Sequence, residues 1–141
     1  MTRDLEHEAR NKALVLEAFD ALFNRRDFEA AERHFSPEYV QHSAGIGPGR
    51  DGLFVLVRSV HRRYESALAV AEGDYVMVHG RFSGGGRPTR IVVDILRVDG
   101  GRLTEHWDVM QDEATRAGSK SGLPMFGDRF PDVGPGSSED R

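Results

Sequence analysis

Cysteine is absent from the 141 residues. That excludes a disulfide framework, a thiol nucleophile, an iron–sulfur cluster and any cysteine-based zinc site. Lysine is scarce, with two lysines against 17 arginines, a bias of the kind a GC-rich genome produces. No apolar run approaches the ~20 residues a membrane span needs. The mixed charges of Met1–Glu8 are unlike a signal peptide. A net charge of −4 is the wrong sign for neutralising phosphates without regard to sequence. These absences lead us to expect a cytoplasmic globular domain that engages neither membrane nor nucleic acid. What is present is a normal core supply: 34 Leu, Ile, Val and Phe residues argue against intrinsic disorder. A single domain of this length buries roughly two-thirds of its unfolded surface.

Hydrophobic periodicity divides the chain. From Leu5 to Phe23, residues Val15, Ala18, Phe19, Leu22 and Phe23 recur at helical spacing. Asp27 reads as the cap of a short second helix with Phe28, Ala31 and Phe35 inward, stopped by Ser36-Pro37. Tyr39–Gly49 reads as a loop, and Leu53, Leu56, Val57, Val60 and Tyr64 place a third helix over Arg50–Tyr64. The period then falls to two. Ala67–Ala71, Tyr75–Ser83, Thr89–Val98 and Arg102–Gln111 read as strands between glycine-rich turns. Helices first and strands second is an α+β order. Residues 1–113 are expected to form the domain and residues 114–141 a Gly/Pro-rich tail. The apolar Leu123–Phe130 stretch is expected to order part of the tail, to about residue 130, by folding over the domain or onto a partner, with disorder beyond Pro131.

The informative residues are polar ones inside apolar strands. Asp94 interrupts Ile91–Leu96, and the period of two puts His106 and Asp108 on one face with Thr104 and Met110. Glu105, Trp107 and Val109 take the other. Whether Asp94 joins His106 depends on the turn. A two-residue Gly100-Gly101 loop would turn Asp94 toward the Trp107 side. A three-residue Asp99-Gly100-Gly101 loop sets Asp94 opposite His106 with Asp108 diagonal, and this is the loop we expect. His42 and His79 could reach the same cluster. Each residue also has a plainer role: Asp94 as ion partner of Arg81 or Arg97, the histidines as hydrogen-bonded strand residues, Trp107 as a core or interface aromatic. Several ionisable groups on one face favour a site, because burying charge without purpose is costly.

Other chemistries find no support. His42, His79, His106, Asp94 and Asp108 could ligate zinc or iron, but no dedicated ligand spacing is present, so we expect no metal. A nucleophile elbow, a P-loop and a dinucleotide fingerprint are missing, and no cofactor is expected.

The order helix, helix, Tyr39-Val40-Gln41-His42, helix and meandering strands with Val93-Asp94-Ile95-Leu96-Arg97 and Glu105-His106-Trp107-Asp108 resembles the SnoaL-like polyketide cyclases of the nuclear-transport-factor-2-like superfamily. The likeness covers roughly residues 8 to 112. It implies a cystatin-like α+β cone, three N-terminal helices packed in a curved, mostly antiparallel sheet around a deep apolar pocket. It also implies a homodimer through the outer sheet face, where Trp107 and Val109 project. Asp108 matches the cyclases' general acid/base aspartate, and Asp94 stands where those cyclases have histidine, which puts the cyclase substrate in question more than the pocket.

The resulting expectation is cofactor-independent proton transfer on a small apolar carbonyl compound. Asp108, Asp94, His106, His79 and His42 would act, in a pocket walled by Tyr39, Phe54, Met110 and Phe126. Two alternatives share the fold: a non-catalytic binder of hydrophobic ligands, and a hydrolase of the epoxide-hydrolase kind. The second needs Arg81 or Arg97 to bridge Asp94 and Asp108.

Overall fold

Two aspartates start the first two helices. In the computed structural model, which describes residues 2–131, Asp4 accepts the His7 N–H at 3.0 Å and opens α1 (Leu5–Phe19). Asp27 accepts the Ala30 N–H at 3.1 Å and opens α2 (Phe28–His34). The apolar stripe read over Leu5–Phe23 is one continuous helical run, but its last turn, Asp20–Asn24, widens to π geometry. Helix α3 (Gly49–Ser59) ends earlier than its periodicity suggested. Tyr64 belongs instead to the next strand, where its ring packs edge-on to Phe19 at 5.3 Å.

Five strands follow the order β1-β5-β4-β3-β2. They are β1 (Phe35–Gln41), β2 (Arg63–Glu72), β3 (Tyr75–Ser83), β4 (Arg90–Asp99) and β5 (Arg102–Asp112). All neighbours are antiparallel except β1, which runs parallel to β5. Strand β1 corrects the loop expected from Tyr39: the chain passes directly from α2 into an edge strand. An edge tolerates Pro37, which falls in the irregular stretch between the paired residues Phe35 and Val40. Irregular register within β2–β3 and β4–β5 strengthens the curl of the sheet.

The core lies between the helices and the concave sheet face, where Val15, Leu22, Phe35, Val76, Val78 and Leu96 are fully buried. Gly80 is required there. A Cβ at that position would sit 2.6 Å from the Tyr64 ring, so the absent side chain gives the aromatic its place. No helix among the described residues is long and apolar enough to cross a membrane.

The C-terminal segment lies on the opposite, convex face. Arg81, pointing outward from β3, donates to Glu113 at 2.8 Å through Nε and to the Arg129 carbonyl at 2.8 Å, and its guanidinium stacks over Phe126. Phe126 and Phe130 are buried by this docking. Phe126 and Phe130 lie against the outside of the sheet while Leu123 is exposed; the disorder expected beyond Pro131 lies outside the described residues.

Candidate active site

Asp94, His106 and Asp108 do share one face, but the turn is not the one expected. Gly100 and Gly101, with φ of 58° and 74°, form the two-residue loop, and Asp99 pairs with Arg102. The parity is restored two residues later. Val98 pairs with Leu103 and Arg97 with Glu105, so Thr104 is an extra residue in β5. Its hydroxyl donates to the Arg97 carbonyl at 2.9 Å and fastens the bulge. Asp94 consequently faces Asp108 across the ladder, and His106 is the diagonal neighbour.

The three side chains form a tight cluster. His106 Nε2 lies 2.7 Å from Asp94 Oδ1 and 4.0 Å from Asp108 Oδ2. Gln41, in register with His106 across β1 and β5, decides the protonation of the ring. Its Oε1 accepts the Ser43 N–H at 2.9 Å, which identifies the amide oxygen, and His106 Nδ1 is 2.7 Å from that oxygen. Nδ1 must therefore carry a hydrogen. Nε2 and the Asp94 carboxyl, in turn, hold a proton between them.

Burial pushes the Asp94 carboxyl above the ordinary carboxylate range; the hydrogen bond and charge of His106 oppose this, and Asp108 adds to it. Asp94 Oδ2 is buried with no hydrogen-bond partner among the described residues. Burial likewise raises the Tyr39 hydroxyl, whose ring lies parallel to that of His106.

A folded-state value raised in this way makes the native protein hold the Asp94 proton where the unfolded chain has released it. Stability therefore falls as pH rises from about 4 through the folded value, by up to about 1.4 kcal/mol per unit. Urea unfolding between about pH 4 and about pH 8 should show wild type losing stability relative to Asp94→Asn as pH rises. Parallel profiles would mean that Asp94 folds ionised.

The cluster opens into a cavity of about 390 Å³, a normal size for a small-molecule site. Its walls include Tyr39, Ile46, Leu53, Val57, Phe82 and Met110. Four expected members are placed elsewhere. His79 alternates onto the convex face and meets the edge of Phe126, so neither reaches the cavity. His42 also points outward: it stacks on Trp107 at 4.8 Å and contacts Glu105 at 2.6 Å. With Arg97, it holds the Glu105 carboxyl below the usual range. Phe54 is spent in the core between Phe28 and Phe35.

The bridging arginine of a two-aspartate hydrolase is not supplied by either candidate. Arg81 is bound to Glu113 and Arg97 to Glu105, both on the convex face. Of the possible metal donors, Asp94, His106 and Asp108 converge, with donor atoms within 4.8 Å of one another. An ion there would have to displace the Asp94–His106 hydrogen bond.

Comparison with known proteins agrees with the fold. TsrD from Streptomyces laurentii is 25% identical, with a TM-score of 0.63 over 73% of this chain and 89% of its own. AclR from Streptomyces galilaeus is 26% identical, with a TM-score of 0.62 over 74% of this chain and 81% of its own. An LEH-like epoxide hydrolase from M. tuberculosis is 20% identical, with a TM-score of 0.63 over 82% and 90%. No protein of curated function matches. The model of the SnoaL-like domain matches residues 15–106, and the chain belongs to that family.

Proposed function

We propose that this protein is a cofactor-independent acid–base enzyme acting on a small, largely apolar carbonyl compound. The observation that carries this reading is the 2.7 Å hydrogen bond between His106 and Asp94 with a second carboxyl 4.0 Å away, all on the wall of an apolar cavity. Asp108 takes a proton from the carbon next to the carbonyl, and the electron pair moves onto the carbonyl oxygen. The His106–Asp94 pair meets that oxygen with its proton. Reprotonation at another carbon is an isomerisation, attack on a second carbonyl is an aldol closure, and loss of a β-hydroxyl is a dehydration.

The test is exchange of α-protons for deuterium in heavy water, followed by NMR on a simple apolar ketone such as 2-nonanone. Protein-dependent exchange is expected. Saturable binding without exchange would favour a non-catalytic binder of the same fold.

We also propose that the protein works as a homodimer through the convex sheet face. Leu68, Val70, Met77, Val93 and Val109 are exposed there side by side, and such a patch marks an interface. In sedimentation, wild type should run as a dimer and Val109→Glu as a monomer. A monomeric wild type would rule this out.

A further inference from the structure

The cavity has a second polar end that the acid–base chemistry does not use. Arg62, Arg87 and Arg90 line it, brought together from the residue before β2, the β3–β4 loop and the start of β4. Arg62 is anchored by Nη2, which donates to the Phe82 and Pro88 carbonyls at 2.8 Å each, while its Nε is buried without a partner among the described residues. Burial, with the charges of Arg87 and Arg90 beside it, lowers the Arg62 guanidinium from its ordinary value, and three cationic side chains crowd this end.

The carboxylates nearby do not cancel their charge. Arg90 meets Asp112 at 3.1 Å in an exposed pair, which water screens. Among the described residues, Arg62 and Arg87 have no carboxylate within ion-pair distance. Arg87 and Arg90 are exposed at the rim, and no element among the described residues closes over them.

The two polar ends lie on the same face of β4. Arg90, Val92 and Asp94 alternate inward along it, and four residues of strand span about 13 Å. Between the ends the wall is apolar, with Phe82, Val60 and Met110.

We infer that the arginine end binds a terminal carboxylate of the substrate, whose reacting carbonyl lies at the other end of an apolar body on the order of 10 Å long. The guanidinium fork suits such a group better than a point charge does, because it donates two parallel hydrogen bonds. This deepens the acid–base reading, on which it rests only for calling the ligand a substrate.

The test compares 8-oxononanoate with its methyl ester, the same chain without the charge, by isothermal titration. We expect the acid to bind at least about tenfold more tightly, as charge-assisted hydrogen bonds warrant. That ratio should shrink between about 20 mM and about 300 mM salt, and Arg87→Glu should collapse it toward one. Equal affinities in wild type, no binding of the acid, or an unchanged ratio in Arg87→Glu would each overturn the inference. Deuterium exchange into 2-nonanone, which has no carboxylate, is recorded in parallel. Its absence would defeat the acid–base reading without touching the affinity ratio.

Discussion

Asp108→Asn should slow α-proton exchange by about a thousandfold while leaving the fold in place, within the range that a positioned general base contributes. The substitution keeps the shape of the side chain and removes its ability to accept a proton. Asp108 makes no hydrogen bond within the described protein, and its side chain is 10% exposed toward the cavity. Its loss therefore leaves no partner orphaned, and the melting temperature should stay within a few degrees of wild type. Asp94→Asn and Gln41→Leu should act differently. The first removes the carboxyl that shares a proton with His106, and the second removes the acceptor that orients the ring. Gln41 is thus a positioning residue, and Gln41→Leu should change the pH profile of exchange rather than abolish exchange. If Asp108→Asn kept more than half of the wild-type rate, the base would have to be another group.

How much of this was legible beforehand depended on local parity. The alternation in Leu103–Met110 placed His106 with Asp108 directly, because a strand's two faces follow from its period. Joining Asp94 to them required the register, and there the right neighbourhood came from the wrong turn. The two glycines close a tight loop, and the compensating bulge at Thr104 leaves no mark in composition.

Reading Tyr39–Gly49 as a loop had a larger cost. Once Phe35–Gln41 is a strand, Tyr39 and Gln41 face inward and His42 faces out. The same alternation would have selected Gln41 and discarded His42. His79 fails by the same rule, since Val76, Val78 and Gly80 take the inner face of β3. The arginine end was not legible at all. Arg62 is distant in sequence from Arg87 and Arg90, and only the fold brings it to the same end of the cavity.

Glu113→Ala should cost about 3–5 kcal/mol of folding stability and release the C-terminal segment, because it strands a buried guanidinium. The Arg81 and Glu113 side chains are 7% and 0% exposed, and their two parallel hydrogen bonds hold the outer end of β3 to the residue after β5. Glu65 is 4.0 Å from the other Arg81 amine, too far to replace two short bonds. Arg81 also binds the Phe126 and Arg129 carbonyls, so its displacement should free Phe126 and Phe130 from the convex face. Urea unfolding would read the stability loss, and limited proteolysis within residues 114–131 would read the release. Combining Glu113→Ala with Arg81→Met should recover much of the loss, since an apolar pair leaves no buried charge unpaired. Failure of that recovery would place the cost in packing rather than in the stranded charge. The acid–base cluster sits on the opposite face of the same sheet, so 2-nonanone exchange per folded molecule should be unchanged in both variants. A parallel loss of exchange would show that the strap, though it never touches the cavity, sets the curvature that brings Asp94 to His106.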